Sequence, residues 1–452
     1  MRAKIDTLHA AVAAVERKLK NQKFDYDIFA SADTGLDFEI KKGQLQRHTL
    51  SSETGLALRL FHQGRLGFAY TRSLAPAHLG ELVKKAQASL ALCGKNSGFV
   101  LGRPKALSHT ALDLDLFDPN LITLPFAEKL AILKQFERDI FSASNAISDT
   151  DGTSWTEVSG YTQLVNRQGF SIAFSETAVA VGAEAIARRK SHHASFADAQ
   201  NVRFFDDLSL KTLAIRLAHQ ATSGLGAKEP KTGNFSVVLE PQVAAEILEV
   251  LAPSFYGDEV LHHRSFLDGK MGAAIFSPLI SIVDDGRMPR AWGSCLFDGE
   301  GMASQRTALI AQGSLEGVLH DASSAQKTQT ISTGNSKREG LGSLPRVGHH
   351  TLFIKNGKTP KADLLRGLNP GILLTKVMGV HMANTLTGDF ALGGSGFWVE
   401  RGQIIRPVSD FTISGNLFAM MKNLIALGAD LEINGGYGSP SWLVPPLKVA
   451  GS

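Results

Sequence analysis

One stretch, residues 236–259, constrains the fold most because the chain changes its period there within a few positions. Four β-favouring residues, SVVL, come shortly before Pro241, which suits the first turn of a helix because its missing N–H would have no partner there. The residues that follow place apolar side chains along one helical stripe, with Glu246 and Glu249 together on the opposite face. Pro253 ends this pattern. The sequence therefore predicts a strand that leads directly into an amphipathic helix.

Composition limits the class of protein. A chain of 452 residues with 43% hydrophobic residues is long enough for two or three packed domains. The net charge of +4 arises from 47 basic and 43 acidic residues in mixed sign, which argues against nucleic-acid binding. Cys93 and Cys295 lie far apart without a CxxC motif, which argues against a disulfide framework. Without a signal-peptide core or a long apolar segment, the expected location is the cytoplasm, away from membranes.

Hydrophobic periodicity divides the chain into three predicted domains. Residues 1–93 combine helices with short strands whose hairpin tips fall at 42–43 and 63–64, which is typical of an N-terminal α+β domain. Residues 94–227 contain a connecting segment, helices and alternating strands, and form a predicted central α/β domain with its linker. Residues 228–452 are β-rich after the strand-to-helix unit. The predicted fold class is therefore α+β with a large β-rich C-terminal domain.

Two long blocks in the last half of the chain resemble the TldD/PmbA family, also called modulator-of-gyrase proteins. The first block covers residues 283–321 and continues as STGNSKREG at 332–340. The second covers residues 388–432, where GFWVE leads into a hairpin at 401–402 in the form of the TldE/PmbA branch. A glycine-containing hairpin at 59–72 is also similar to the family's N-terminal signature. The resemblance implies the three-part α+β architecture of that family.

The family's catalytic branch carries HExxxH on the strand-to-helix unit, with two zinc-binding histidines and a glutamate. Placing the Gly-Asp pair that follows this motif on residues 257–258 puts Leu248 and Pro253 at the histidine positions and Glu249 at the glutamate. A leucine has no lone pair for zinc and the proline nitrogen is tied up in a peptide bond, so the helix cannot hold the metal in the family's way. The family's third ligand, a C-terminal cysteine, is missing too, since no Cys or His follows His381.

The resemblance therefore implies no metal and no catalytic residue on this chain. Glu249 is the possible remnant of the HExxxH glutamate, or simply an exposed residue on the polar face of its helix. A rearranged zinc site would have to use Glu259 with His262 and His263, or the His349-His350 pair. Adjacent residues on a strand point to opposite faces, so neither histidine pair readily offers two ligands to one metal.

Other patterns receive plain interpretations. The glycine run at 393–396 is interpreted as a tight turn, because a strand and not a helix follows it and no helix N-terminus is available for a phosphate. Arg59 in the 59–72 hairpin is interpreted as a solvated strand position. Asn335, Arg338 and Glu339 in the GNSKREG segment are candidates for contact with a peptide or a partner chain, or they form an ordinary solvated loop.

The resemblance implies a TldE/PmbA-like, non-catalytic subunit of a TldD/TldE-type zinc metalloprotease that acts on small or unfolded peptides. Its partner would be a TldD-type subunit that carries the zinc, and the chain could form a homodimer when alone. One alternative is an active metallopeptidase with non-standard zinc ligands. Another is a modulator that binds DNA or a topoisomerase directly, which the mixed surface charge argues against.

Overall fold

The computed structural model describes residues 2–94, 99–102 and 114–451. The predicted α+β class is confirmed, with antiparallel sheets and a β-rich C-terminal region. Within the described residues, no helix combines the length and the apolar character needed to cross a membrane. The elements of the first half are α1 (Arg2–Leu19), β1 (Asp25–Lys41), β2 (Gln44–His62), β3 (Arg65–Thr71), α2 (Pro76–Leu92), α3 (Pro119–Thr123), α4 (Phe126–Ala143), β4 (Ile147–Asn166), β5 (Ser171–Arg189), β6 (His192–Val202), a 3-10 turn (Phe205–Asp207) and α5 (Leu210–Ser223).

The strands of this half form one antiparallel six-stranded sheet with the order β3-β2-β1-β4-β5-β6. Its centre is the pairing of β1 with β4, which runs from Asp27 opposite Asn166 to Ile40 opposite Thr153. Strands from both sides of the 93/94 boundary therefore belong to one sheet, and the division into separate first and central domains stays a prediction. The hairpin tip after β1 is present, with positive φ angles of 52° at Lys42 and 71° at Gly43.

Helices cover one face of this sheet. The pair α1 and α2 packs on one half of it and the pair α4 and α5 packs on the other, each around its own apolar cluster. Alternate residues of β1, from Ile28 to Phe38, belong to these clusters. Because side chains alternate between faces along a strand, Asp27 and Phe29 lie on the opposite face, which meets the C-terminal half of the chain.

The elements of the C-terminal half are β7 (Gly233–Leu239), α6 (Pro241–Leu251), a 3-10 turn (Ala252–Phe255), α7 (Gly257–Leu261), β8 (Ile282–Asp285), β9 (Arg306–Ala311), β10 (Ser314–Leu315), α8 (Ala322–Lys327), β11 (Ser336–Lys337), β12 (Arg346–Val347), β13 (Leu352–Ile354), α9 (Lys361–Arg366), β14 (Gly371–Met378), a 3-10 turn (Val380–Met382), β15 (Asp389–Glu400), β16 (Gln403–Asn416), α10 (Leu417–Lys422), β17 (Ala426–Leu427), β18 (Glu432–Asn434), β19 (Tyr437–Ser439) and β20 (Trp442–Ala450).

The strands of this half form two further six-stranded sheets and a two-stranded one, β11-β12. One six-stranded sheet has the order β10-β9-β8-β13-β19-β18, and the other has the order β16-β15-β14-β7-β20-β17. In the second sheet, the additional pairing of β16 with β20 closes the five strands from β16 to β20 in this order into a ring.

The predicted strand-to-helix unit is present as β7 followed by α6. Val243, Ile247, Leu248 and Leu251 are buried on one stripe of α6 and join the largest apolar cluster of the chain. Full burial of an aliphatic side chain of this size stabilises the fold by about 1.5–3 kcal/mol. This stripe therefore fixes which face of α6 remains available for polar groups.

The interpretation of the glycine run at 393–396 as a tight turn is wrong. These residues lie inside β15, where Gly394 pairs with Phe411 of β16 and Gly396 pairs with Leu374 of β14. A Cβ atom on Gly396 would lie 2.0 Å from the carbonyl oxygen of Leu373. The glycines therefore permit close approach of neighbouring strands, a role that composition alone does not distinguish from a turn.

Candidate functional site

The positions that the resemblance aligns with the family's zinc motif lie on α6 and in the 3-10 turn that follows it. Leu248 is fully buried in the apolar core, whereas Pro253 is exposed in the 3-10 turn after the helix. Glu249 is exposed and borders, with Glu246 and Tyr437, a small recess of about 200 Å³. Burial and the neighbouring Glu249 carboxylate raise the pKa of Glu246 to about 7. These residues do not fit a zinc ion, because the two histidine positions offer no ligand atom.

The remaining histidines near α6 are engaged separately. The Nδ1 atom of His263 lies 2.6 Å from the Asp268 carboxylate, and the Nδ1 atom of His262 lies 2.6 Å from the backbone carbonyl of Asp258. Glu259 accepts two hydrogen bonds from Arg264. Over residues 2–94, 99–102 and 114–451, no group of three or more His, Cys, Asp or Glu side chains is arranged to hold a metal ion. The structure thus offers no support for the rearranged zinc site.

Two cavities meet beside α7 and the segment 332–350, and they share Lys337 and His349. The larger one, called the outer cleft here, has a volume of about 1100 Å³ and is bordered by Tyr256, Asp258, Glu259, Arg264, Glu339, Leu344 and Arg346 among others. The smaller one, called the inner cavity, has a volume of about 440 Å³ and lies between β1, β4 and β5 on one side and the C-terminal half on the other. Together they offer a continuous concave surface of the size that proteins use for ligands.

Three neighbouring rings, one pair stacked and the other tilted, form the wall where the two cavities meet. The His349 ring lies between the Tyr256 and Tyr437 rings, with centroid distances of 6.3 Å and 4.5 Å. The Tyr256 hydroxyl lies 2.8 Å from Nδ1 of His349. Burial, together with the Lys337 ammonium, lowers the pKa of His349 to about 3, and burial raises the pKa of both tyrosines. The wall is therefore uncharged near neutral pH.

The three candidate residues of the GNSKREG segment lie in different surroundings. Asn335 is buried, and its amide donates hydrogen bonds to Asp284 at 2.6 Å and to the Gly348 carbonyl at 2.9 Å. Arg338 is buried, donates from Nε to the Gly299 carbonyl at 2.8 Å, and lines the inner cavity. Glu339 is exposed and lines the outer cleft. The role of these three residues as contacts for a peptide or a partner chain stays a prediction. In that prediction, the buried Asn335 contributes by holding the segment in place.

Arg59 is not a solvated strand position, and that interpretation is wrong. Its side chain is 4% exposed and binds the carboxylate of Asp27 and, at 3.0 Å, the carboxylate of Glu300. Glu300 also accepts a hydrogen bond at 2.9 Å from the backbone N–H of Ala322. We call Asp27, Arg59 and Glu300 the buried ion-pair cluster. Burial lowers the pKa of the Arg59 guanidinium, but the Asp27 and Glu300 carboxylates raise it by more, so the net change is an increase. The cluster ties the first sheet to the C-terminal half.

A cysteine and a histidine that sequence reasoning did not connect also meet at the inner cavity. The Sγ atom of Cys295 lies 3.5 Å from Nδ1 of His350 and 3.1 Å from the Ser304 hydroxyl. Nε2 of His350 lies 2.7 Å from the Gly334 carbonyl, so this nitrogen carries the proton and Nδ1 is the acceptor. Burial raises the pKa of the Cys295 thiol. The thiol is therefore held protonated, and no local sequence pattern could have revealed the pair across 55 positions.

The sheets and clusters described above define the chain as a mixed α+β protein with a β-rich C-terminal region. Three family models match it in succession: PmbA/TldA metallopeptidase domain 1 over residues 26–90, the central domain over 119–225 and the C-terminal domain over 232–451. The chain belongs to the PmbA/TldD family.

Individual relatives agree with this assignment. The chain is 25% identical over 445 residues to metalloprotease PmbA of Escherichia coli O157:H7, which covers 98% of this chain and 96% of that one. It is 32% identical over 393 residues to an uncharacterized protein of Methanocaldococcus jannaschii, covering 86% of this chain and 87% of that one.

Solved structures share the fold. TldE from Thermococcus kodakarensis superposes with a TM-score of 0.86 at 19% identity, over 98% of this chain and 100% of that one. A Thermotoga maritima protein named for modulation of a DNA gyrase superposes with a TM-score of 0.90 at 22% identity, again over 98% and 100%.

Proposed function

We propose that this chain is a non-catalytic, TldE/PmbA-type subunit that pairs with a zinc-bearing TldD-type subunit and helps it to hydrolyse small or unfolded peptides. The observation that carries the proposal is the pair Leu248 and Pro253 at the positions of the zinc-binding histidines. Leu248 is fully buried in the core, so this helix is built around an apolar residue where the catalytic branch needs a ligand. The names of the relatives support a metalloprotease system.

The outer cleft supports the peptide part of the proposal. It is lined by groups of both signs, Arg264, Arg346, Glu259 and Glu339, together with the apolar Leu344. A cleft of about 1100 Å³ with mixed polar and apolar walls suits an extended peptide better than a compact, strongly charged ligand. This chain's own contribution is then to hold and orient the peptide while the partner carries out the chemistry.

Exposed apolar residues support the pairing part. Met378 and Met382 are 54% and 75% exposed, and Leu386 nearby in sequence is 51% exposed. Large apolar side chains that remain in water near one another mark surfaces that a partner covers. In the proposed role, this region contributes to the contact with the TldD-type subunit, or to a homodimer when the partner is missing.

The proposal is tested by measuring bound zinc and casein or peptide hydrolysis for the purified chain, alone and mixed with a TldD-type subunit carrying HExxxH. We expect no stoichiometric zinc and no cleavage by the chain alone, and chelator-sensitive cleavage in the mixture. Glu249→Gln should leave the activity of the mixture unchanged. Zinc and cleavage by the chain alone would contradict the proposal and direct attention to Glu259, His262 and His263.

Assembly is followed in the same mixtures by size-exclusion chromatography with light scattering. Met382→Lys should weaken pairing, because a charged group would have to be buried at the contact. Ile215→Lys, at an apolar residue of α5 that is 54% exposed, is the matched control and should pair normally. A direct DNA or topoisomerase role would instead appear as DNA affinity of the chain alone that falls steeply with salt.

A further inference from the structure

The inner cavity contains hydrogen-bonding groups that are buried but have no partner. Ser294 and Ser336 are 0% and 1% exposed, and neither hydroxyl has a hydrogen-bond partner within the described ranges. The same holds for Nη1 of Arg338, whose side chain is 2% exposed. All three residues line the inner cavity. Leaving a buried polar group unpaired is costly, so such a concentration beside one cavity indicates a place where a ligand supplies the partners.

Lys337 adds a positive charge at the mouth of this cavity. Its ammonium forms no ion pair with any carboxylate in the described part of the chain, and its side chain is only partly buried. Lys337, His349 and His350 line this cavity together, and burial, followed by the Lys337 charge, lowers the pKa of both histidines. Both imidazoles therefore remain neutral near neutral pH, and both nitrogens of His350 and Nδ1 of His349 already have partners.

The other charged groups that line the inner cavity already have partners. Arg203 binds Glu176 at 2.9 Å and donates to the carbonyls of Trp292 and Ser294 at 2.7 Å and 2.6 Å. Asp298 accepts hydrogen bonds from three backbone N–H groups, at 2.9 Å, 2.9 Å and 3.0 Å. Among the described residues, the groups of this cavity that have no partner therefore include the Lys337 ammonium, one guanidinium nitrogen and two hydroxyls. That set is rich in donors and positively charged, which is the chemistry that recognises a carboxylate.

We propose that the inner cavity is a carboxylate subsite that receives the C-terminal end of a peptide, with Lys337 and the Ser336 hydroxyl binding the terminal carboxylate. The proposal rests on the proposed peptide-holding function and deepens it. The outer cleft would hold the preceding residues, because the two cavities join at Lys337 and His349. Phe174 and Phe297, whose rings pack edge to face at 5.1 Å, line the cavity and favour an apolar side chain on the last residue.

The test uses isothermal titration calorimetry of the full chain with matched N-acetylated pentapeptides that end in leucine. One has a free terminal carboxylate, and the second is its C-terminal amide. The third is an amide with aspartate before the leucine, which supplies a carboxylate from a side chain. We expect the free acid to bind about tenfold or more tightly than the amide, as a charge-assisted hydrogen bond to a partly buried ammonium predicts. A preference for the aspartate peptide would assign the subsite to acidic side chains and overturn the terminal assignment.

Lys337→Met keeps the length of the side chain and removes the charge, so the acid and the amide should then bind equally. Lys355→Met, at an exposed lysine that lines neither cavity, is the matched control and should keep the full preference. Lys337→Arg should retain most of it.

Equal affinity of acid and amide for the unmodified chain would overturn the subsite while leaving peptide binding intact. So would a preference that survives in Lys337→Met. Failure of both the free acid and its amide to bind would also overturn the subsite. The subunit role is decided separately, by the measurements of zinc content and of activity in the mixture.

Discussion

The buried ion-pair cluster and the inner cavity lie on the same face of the first sheet, yet their polar groups are satisfied to different degrees. In the buried ion-pair cluster, Arg59 binds the carboxylates of both Asp27 and Glu300. In the inner cavity, the hydroxyls of Ser294 and Ser336 have no partner within the described residues. Arg338 connects the two regions, since Nη2 approaches Asp27 at 3.5 Å while Nη1 remains without a partner.

This difference separates a structural role from a binding role. A buried charge that is fully paired holds two parts of a fold together. Its removal leaves the remaining partners buried without an opposite charge. Buried donors without partners do not stabilise the free protein, and beside a cavity they are groups that a ligand could pair. Experiments that remove one group from each region therefore test whether the two regions have these different roles.

The largest effect is expected from the buried ion-pair cluster. Arg59→Met leaves the buried Glu300 carboxylate without its cation and leaves Asp27 with only the Arg338 contact at 3.5 Å, and should lower the free energy of unfolding by about 3–5 kcal/mol. Urea denaturation followed by circular dichroism measures this change. Arg72→Met removes the partner of Glu53 in an exposed ion pair and should change stability little. Similar losses in both variants would show that the cluster does not hold the two halves together.

An intermediate effect is expected from the uncharged wall of the cavity. The pKa of His349 is lowered to about 3 in the folded chain, below its ordinary value of 6.5. The unfolded chain therefore binds this proton first, so stability is full above pH 6.5 and is lost as the pH falls from 6.5 towards 3. The loss attributable to His349 should reach about 2 kcal/mol between pH 7 and pH 4 after allowance for partial exposure.

His349→Phe should reduce this acid sensitivity, because phenylalanine keeps a ring between the two tyrosines but does not titrate. Urea denaturation at pH 7 and pH 4 gives the comparison. His219→Phe, at an exposed histidine on α5, should leave the pH dependence unchanged. An unchanged pH dependence in His349→Phe would mean that the His349 ring binds a proton as readily in the folded chain as in the unfolded chain. That result would remove the argument for a neutral wall.

The smallest effect is expected at Ser336. Its hydroxyl has no partner among the residues that the structure describes, so Ser336→Ala should change the free energy of unfolding by less than about 0.5 kcal/mol or stabilise the chain slightly. Ser324→Ala is the contrast, because that buried hydroxyl lies 3.2 Å from the backbone N–H of Asp321 in the capping box of α8 and 3.1 Å from His320. It should cost about 1 kcal/mol. Equal costs in thermal unfolding would show that Ser336 has a partner in the free protein.

Much of the fold could be predicted from the sequence because its signals are local. The helix that begins at Pro76 and the turn at Lys42 and Gly43 follow from backbone preferences of a few neighbouring residues. The buried stripe of α6 follows from the helical period. The conclusion that Leu248 and Pro253 cannot bind zinc follows from their residue types alone, since no conformation gives these side chains a ligand atom.

The candidate site could be predicted only in part. The segment around Asn335 was singled out from its polar composition, but composition does not distinguish a buried amide that holds a loop from an exposed one that meets a ligand. Arg59 was misjudged because charged residues are usually exposed, and its partner Glu300 lies 241 positions away. The inner cavity could not be predicted at all, since its walls come from β1, β5 and the C-terminal half.

Residue types and local spacing were enough to predict the α+β class, the strand-to-helix unit and the lack of a ligand atom at Leu248 and Pro253. Each of these depends on residue type or on spacing within one element. Which charges are paired and which are left unmatched depends instead on the packed fold, as the contrast between Arg59 and Lys337 shows. Burial and pairing of a charge depend on residues that are distant in the chain, and the desolvation that makes them matter exists only once those residues have packed together.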